Sequence, residues 1–214
     1  MRSSKINGYI GDFNSSFLSC SKDIEMIIKK LFVDSKPYSD YLKRLLLINT
    51  PDCLMDKTNQ AYLDKIKNTS IADLRKEGYI KLEPNLKFSE NEEAKSYIII
   101  SFDNFVPNAS NRYFRDCTVM IDIVCHPDCW DIGNYKLRPL EIAGYIDGIL
   151  NGCRLSGIGT FNLLGCNEIV LSENVAGYCL MYSAIHGEED KIDMLNPRDQ
   201  EQFEKDFKEL MGQK

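Results

Sequence analysis

The stretch YFRDCTVMIDIVCH at residues 113–126 decides which fold the sequence predicts. Apolar residues alternate with polar ones along it, so that Val119, Ile121 and Ile123 fall on one face of an extended chain. The stretch SYIIISF at 96–102 precedes it and predicts a second, buried strand. The ten-residue connection DNFVPNASNR between the two stretches indicates an antiparallel hairpin with a long loop.

A helix and further strands follow this hairpin. Pro139 is suited to the first turn of the helix, Ile142, Ile146 and Ile149 share one of its faces, and Gly152 ends it. The stretches GTFNLLG and NEIVLSE predict two short strands, and AGYCLMYSAIHG predicts a long one.

Two amphipathic helices are predicted before the hairpin. The first follows Ser21, a residue type that caps helices, and the second stops near 49–52; the stretch DSKP at 34–37 separates them. Apolar and aromatic side chains recur at helical spacing in both helices: Ile24, Ile27, Ile28, Leu31 and Phe32 in the first, and Tyr38, Tyr41, Leu42, Leu45 and Leu46 in the second.

The segment between these helices and the hairpin has a weaker pattern. Ser70 and Asp73 have the spacing of a capping box for a short helix, which Gly78 would end. The stretch GYIKLEP predicts a short strand, and Pro84 would keep that strand at the edge of a sheet.

This order of elements predicts an α+β fold. An antiparallel or mixed sheet is expected to carry helices on one face, because each amphipathic helix must bury its apolar stripe against another element. Four regions are expected: an extended N-terminal arm at 1–20, a helical region with an insertion at 21–95, an α+β sheet core at 96–190 and a C-terminal helix at 191–214.

Composition limits the possible functions. Of 214 residues, 43% are hydrophobic and 27% charged, which is usual for a soluble globular protein. The formal net charge is −6 and Lys and Arg are scattered, which argues against a broad basic surface for duplex nucleic acid. Neither a signal peptide nor an apolar run of about 18 residues is present, so no membrane span is expected. The eight cysteines are spread along the chain, which favours reduced thiols over a disulfide scaffold.

The sequence CHPDCW at 125–130 is the first candidate for chemistry. Cys125 and Cys129 are four residues apart, whereas structural zinc usually takes two close pairs of Cys or His ligands. Cys117 lies eight residues before Cys125 on the same strand, about 26 Å away at ~3.3 Å per residue, and cannot share an ion with it. Further ligands would have to come from distant residues: Cys153, Cys166, Cys179 or His186. No metal site is therefore predicted.

A nucleophilic cysteine is the second possibility at this corner. It needs a base, and His126 and His186 are the only histidines in the chain. Adjacent side chains of a strand point to opposite faces, so Cys125 and His126 are poorly placed to act as a pair. The simpler interpretation is that the strand ends near Cys125 and that Pro127 and Asp128 turn the chain, with Trp130 packing against the next helix or a neighbouring molecule.

Phosphate and acid–base sites are predicted no more strongly. The sequence contains neither of the glycine-rich phosphate-binding motifs, G-x-x-x-x-G-K-[ST] and G-x-G-x-x-G. Gly157-Ile158-Gly159 most simply marks a turn. Four carboxylates in the second half are more simply solvated than catalytic: Asp116, Asp122, Glu141 and Asp147. No catalytic, cofactor-binding or metal-binding residue is predicted, and the chain is not expected to be an enzyme.

The second half resembles the tail-terminator and head–tail joining ring proteins of tailed bacteriophages. The resemblance is carried by CTVMIDIVCH, by LRPLEIAGYIDGILNG and by GTFNLLGCNEIVLSENVAGYCLMYSAIHG, and it covers about residues 96–187. Agreement at 21–48 is weaker. The stretch at 50–95 and the C-terminal helix at 197–211 depart from the compact members of that family.

The resemblance implies a structural virion protein at the head–tail junction or in the tail, assembled in the host cytoplasm. Such proteins form closed rings, commonly six- or twelve-fold, between the portal or connector and the tail, and double-stranded DNA passes through the bore without specific binding. Sheet edges, the loop at 103–112 and the N-terminal arm would supply the contacts between subunits. Three spaced aromatic residues on the arm favour docking on a neighbouring subunit: Tyr9, Phe13 and Phe17.

Two alternatives stay open at this stage. The first is a cytosolic α+β enzyme or a ligand- or zinc-binding module that uses the Cys125–Cys129 corner and His186. The second is an adaptor domain of another contractile or injection apparatus. A multimer in solution would favour the ring protein, and a monomer with stoichiometric zinc would favour the enzyme or ligand module.

Overall fold

A computed structural model describes most of the chain. The described residues are 4–6, 9–11, 20–55, 58–82, 94–109, 114–172 and 175–186. The helices and strands in chain order are β1 (Ser4–Ile6), β2 (Tyr9–Gly11), α1 (Cys20–Lys29), α2 (Tyr38–Leu47), α3 (Gln60–Asn68), α4 (Ile71–Lys76), β3 (Ile80–Lys81), β4 (Ser96–Pro107), β5 (Arg115–Cys125), α5 (Arg138–Leu150), β6 (Arg154–Leu155), β7 (Gly159–Thr160), β8 (Asn162–Ser172) and β9 (Val175–His186). A π-helical segment, Lys30–Asp34, continues α1, and a 3-10 turn, Pro127–Cys129, follows β5.

The main sheet has five strands in the order β3-β4-β5-β9-β8. The strands β4, β5, β9 and β8 pair antiparallel, while β3 adds two residues in parallel to the start of β4. The predicted α+β fold with a mixed sheet is therefore confirmed. Strand β5 lies in the centre, as expected for the stretch with the clearest alternation.

One face of the sheet carries the core. The side chains of Val119, Ile121 and Ile123 on β5 are fully buried and pack in one cluster with α1, α2 and α5. The predicted long strand is confirmed as β9, and its Leu180 and Tyr182 are paired with Ile121 and Val119 and share their face. Each fully buried apolar side chain contributes roughly 1.5–3 kcal/mol relative to an exposed one. The helices thus cover a single face, as predicted.

The hairpin β4–β5 is longer than predicted. Strand β4 runs to Pro107, so that half of the predicted loop at 103–112 belongs to the sheet. The register with β5 shifts between Asp103 and Val106, and Asn104 has a φ of 53°. Asp103 and Asn104 are residue types that favour turns, and the sequence therefore predicted a loop here. In the structure they lie in a β-bulge, which accommodates extra residues in one strand while the pairing of the two strands continues.

The prediction of two short strands in GTFNLLG and NEIVLSE is wrong. Residues 162–172 form one strand, β8, of 11 residues. Its pairing with β9 shifts between Leu163 and Gly165, where the sequence suggested a break. Since β8 lies at the edge of the sheet and is exposed along most of its length, its sequence lacks the alternation that marks half-buried strands.

Several helix boundaries differ from the prediction. Helix α1 begins at Cys20 rather than after Ser21, and α3 was not predicted because Ile66 is its only buried residue. The capping box of α4 is confirmed, since Ser70 accepts from the N–H of Asp73 and the Asp73 carboxylate accepts in return.

Parts of the predicted terminal regions lie outside the described residues. Within the predicted arm, the backbone at Ser4–Ile6 pairs antiparallel with Tyr9–Gly11 as a short hairpin. Phe13, Phe17 and the predicted C-terminal helix at 191–214 are not among the described residues, and neither is the tip of the β4–β5 hairpin at 110–113.

Substitution Gly177→Ala tests the tight pairing of β5 and β9. A Cβ atom at Gly177 would overlap the carbonyl oxygen of Ile123, a backbone atom that cannot rotate away. We expect the free energy of unfolding to fall by about 3 kcal/mol or more in urea denaturation. Gly144→Ala on α5 is the matched control, because no atom lies within 4 Å of its added Cβ. Alanine there should be neutral or stabilise the helix by about 1 kcal/mol; equal losses for both variants would contradict the packing.

Candidate functional site

The corner at 125–130 ends the central strand and turns the chain. Strand β5 stops at Cys125, and Pro127–Cys129 form a 3-10 turn. The Nδ1 atom of His126 accepts the backbone N–H of Asp128 at 3.3 Å and so caps the turn. The Asp128 carboxylate, 3.5 Å from the same nitrogen, cannot receive a hydrogen from an atom that is already acting as an acceptor. The interpretation that the chain turns at Pro127 and Asp128 is confirmed.

The two thiols of the corner are buried and protonated. Burial raises the pKa of the Cys125 thiol to about 12, and it also raises the pKa of Cys129. The thiolate is the form that attacks electrophiles and binds metals, and neither thiol supplies it near neutral pH. Within the described part of the chain, no three His, Cys, Asp or Glu side chains come together in a way that could hold a metal ion.

A buried arginine explains why the corner has its shape. Arg138 is fully buried, and its Nε donates to the carbonyl of Cys129 at 2.6 Å. Its Nη1 donates to the carbonyls of Leu45 and Ile48, each at 2.6 Å, and its Nη2 to that of Thr50 at 3.0 Å. The last carbonyls of a helix have no intrahelical donors and carry partial negative charge. Arg138 therefore joins the C-terminal end of α2 to the corner.

The remaining residues of the corner are also part of this packing. Trp130 packs against the core cluster, and its Nε1 donates to the carbonyl of Cys125 at 3.2 Å. Its prediction as a packing residue is confirmed for contacts within the same subunit. The corner is a structural joint, and it gives no support to an enzyme or zinc module built on Cys125 and Cys129.

The four carboxylates considered in the sequence have separate partners. Asp147 accepts from the hydroxyl of Tyr182 at 3.2 Å, and Glu141 lies 3.1 Å from the ammonium of Lys136. Asp116 accepts from Asn108 at 2.9 Å. Asp122 is paired across the strands with Cys179, whose pKa rises to about 12 through burial and then through this carboxylate. No two of them form a catalytic pair with each other.

The glycines of the G-x-G sequence lie in a turn, as predicted. Gly157 and Gly159 have φ angles of 83° and 78°; Gly157 lies in the turn between β6 and β7, and Gly159 is the first residue of β7. Residues with a side chain rarely adopt these angles, which explains why glycine occupies both positions.

His186, the last residue of β9, is part of a cluster that the sequence did not reveal. Its Nδ1 atom is in close contact with Oδ2 of Asp23 on α1. Its Nε2 atom lies 3.6 Å from Sγ of Cys20, the first residue of the same helix. His186 is 0% exposed and Asp23 is 2% exposed, whereas Cys20 is only half-buried.

Sequence reasoning missed this cluster because Cys20 and His186 are 166 residues apart. One signal was present. Asp23 lies one helical turn before Ile27, on the apolar face of α1, and a carboxylate on such a face must find a partner when it is buried. With two histidines in the chain, His186 was one of few candidates for that partner.

The two edges of the main sheet form a second feature of interest. Strand β8 makes up one edge, and its Leu164 and Val170 side chains are 60% and 70% exposed. At the other edge, β3 covers only the start of β4, at Ile98 and Ile99. Among the described residues, no strand pairs with the outer edge of the second half of β4, where Val106 is 56% exposed. Exposed apolar edges are ready sites for association.

Comparison with known proteins identifies the family. The family model described as YomW matches residues 39–184, which include α2, α5 and the strands β3 to β8 and nearly all of β9. Its name is a gene name of the Bacillus phage SPBc2 type, which makes the family phage-associated. A search of curated proteins found no match. No helix among the described residues is long and apolar enough to span a membrane.

Substitution Arg138→Met tests the structural role of the corner. It removes four hydrogen bonds, three of them buried, and leaves the carbonyls of Leu45, Ile48 and Cys129 without the Arg138 donor. We expect a loss of about 3–5 kcal/mol in the free energy of unfolding, measured by urea denaturation. Arg75→Met, at an exposed position of α4, is the control and should change stability by no more than about 0.5 kcal/mol. A similar, small effect at both positions would contradict the assignment.

Proposed function

Because the chain belongs to the YomW family, which is phage-associated, we propose that it is a structural protein of a tailed phage virion that forms a ring at the head–tail junction or at the end of the tail. The resemblance of residues 96–187 to tail-terminator and head–tail joining proteins supports this role. The observation that carries it is the pair of exposed sheet edges, β8 on one side and the second half of β4 on the other.

These two edges lie on opposite sides of one sheet. If β8 of one copy binds the β4 edge of the next, the contact is heterologous, because each copy uses two different surfaces. A heterologous contact closes into a ring when the rotation between neighbours divides a full turn, and six- or twelve-fold symmetry is expected from the resemblance. The bulges in β4 and β8 limit uncontrolled pairing, so that side-chain contacts decide which copies associate.

The chemistry of the exposed side chains supports such a contact. Leu164, Val170 and Leu171 on β8 and Val106 on β4 are exposed apolar residues. Burying them between copies would remove apolar area from water at roughly 25 cal/mol per Å². The neighbouring portal or connector and tail proteins would then bind the flat surfaces of the ring rather than these edges.

Mixing two edge variants tests the proposed contact. Val170→Lys places a charge on β8, and Val106→Lys places one on β4, so that each variant alone should stay at the mass of one chain, 24.5 kDa, in light scattering after size exclusion. In an equal mixture, the intact β4 edge of the first variant meets the intact β8 edge of the second. We expect a dimer of twice 24.5 kDa and no larger species.

The control is Leu63→Lys on α3, an exposed apolar position away from both edges. This variant should assemble like the unmodified chain, which we expect to form a closed oligomer. An unmodified chain that stays single at every concentration would contradict the ring, and an oligomer that both edge variants leave intact would contradict the edges as its contacts.

The net charge bears on the passage of DNA. At −6 per chain, a ring would repel phosphate, so that DNA moves through the bore without being held. In a gel-shift assay at about 0.15 M salt, the assembled protein should not retard duplex DNA. Retardation that weakens steeply with added salt would instead indicate a bore lined by Lys and Arg.

A further inference from the structure

We propose that Cys20, His186 and Asp23 form an acyl-transfer site, in which the thiol of Cys20 attacks an activated carbonyl carbon such as that of an ester or thioester. His186 acts as the base and Asp23 holds the imidazole in place. This activity is additional to the structural role, and it departs from the sequence-based expectation that the chain carries no catalytic residue. Cys20, Asp23 and His186 all lie outside the residues that the family model matches.

The geometry follows the arrangement that nucleophilic cysteines need. The Asp23 carboxylate contacts Nδ1 of His186 and, as an acceptor, keeps the ring hydrogen on that nitrogen. Nε2 is then left with its lone pair towards Cys20 Sγ, 3.6 Å away. A nucleophile that faces a base, with the base oriented by a third group, is the pattern by which such sites are recognised.

Cys20 is the first residue of α1, a helix of ten residues. The N–H groups of a first helical turn have no intrahelical acceptors, so they can also face the oxygen of a carbonyl under attack. Burial raises the pKa values of three other thiols, those of Cys117, Cys125 and Cys179, to about 12, so they stay neutral at neutral pH.

The surroundings of His186 fix the ring in one orientation. Phe105 meets it edge-on at a centroid distance of 5.7 Å, and Phe102 lies at 6.5 Å. From β5, Arg115 is paired across the strands with His186, and the neutral thiol of Cys117 lies near its backbone N–H. His186 is buried while Cys20 is half-buried, so a substrate and the attacking water would approach Nε2 from the side of the sulfur.

The reaction proceeds in two steps, acylation of Cys20 and hydrolysis of the acyl-cysteine. The thiol proton of Cys20 moves to Nε2 of His186 as the sulfur attacks the acyl carbon; an S–C bond forms, and the bond from that carbon to the leaving oxygen or sulfur breaks. The leaving group takes up the proton or departs as an anion, with the proton passing to solvent. Water then attacks the acyl-cysteine while His186 takes its proton, which releases the carboxylic acid and restores the thiol.

A purely structural cluster would behave differently. The contact between Asp23 and His186 also joins α1 to the end of β9, and a joint of that kind would affect stability alone. It would give Cys20 no advantage over another accessible thiol. Cys166 on β8 is exposed, and its pKa is raised by desolvation and by Asp147, so it serves as the internal comparison within the same molecule.

The test uses p-nitrophenyl acetate with the full chain at neutral pH. We expect a burst of about one equivalent of p-nitrophenolate per chain and an acetyl group on Cys20, located by peptide mass spectrometry. Cys20→Ser should abolish the burst, and Asp23→Asn should slow it by on the order of 100-fold with Cys20 still the acetylated residue. Cys166→Ser, the matched control, should leave the burst unchanged.

Three outcomes would overturn the proposal. The first is acetylation of Cys166 at least as fast as that of Cys20. The second is a burst that persists in Cys20→Ser. The third is a rate at Cys20 that Asp23→Asn does not change although the variant folds. If Asp23→Asn fails to fold by circular dichroism, the decision rests on Cys20→Ala and on competition between the two thiols in the unmodified chain, since these require no change at the buried pair.

Discussion

The coverage of the sheet on a single face is the constraint on which the rest of the structure depends. The alternation along β5 directs Val119, Ile121 and Ile123 towards the helices, and the pairing with β4 and β9 extends that apolar face across three strands. Helices α1, α2 and α5 must lie on this face because their own apolar stripes have no other place to be buried. Among the described residues, these helices pack over the face of the sheet and pair with neither of its outer edges.

The same constraint places polar groups where they need partners. Helix α2 ends within the packed layer, where Arg138 donates to the carbonyls of Leu45 and of the capping residue Ile48. Helix α1 begins at the far end of β9, and its buried Asp23 meets His186 there. All the hydrogen bonds given for the Arg138 side chain go to backbone carbonyls, so its role is structural. The contact between Asp23 and His186 differs, because it leaves the imidazole facing the half-buried thiol of Cys20, as the proposed acyl transfer requires.

The sequence predicted those parts of the fold that periodicity determines. The face of β5, the capping box at Ser70 and the start and end of α5 follow from local patterns and were confirmed. The stripes of α1 and α2 were confirmed too, apart from Tyr38, which is exposed. The extension of β4 to Pro107 and the unbroken β8 were missed, because bulges and exposed edge strands carry no alternation. The cluster around His186 depends on contacts across 166 residues, which no local pattern encodes. The roles of Arg138 and Asp23 could have been suspected from the sequence. The start of a helix favours acidic over basic side chains, and an apolar stripe favours apolar ones, so both residues are unusual at their positions.

The proposed ring depends on pairing between the exposed sheet edges of neighbouring copies. Amide hydrogen exchange along β8 tests it most directly, because strand pairing protects backbone N–H groups that an open edge leaves to water. Exchange within residues 162–172 should be markedly slower in the assembled protein than in a dilute, single-chain sample, while exchange in the central strand β5 should be the same in both. Equal exchange along β8 in the two samples would contradict the account.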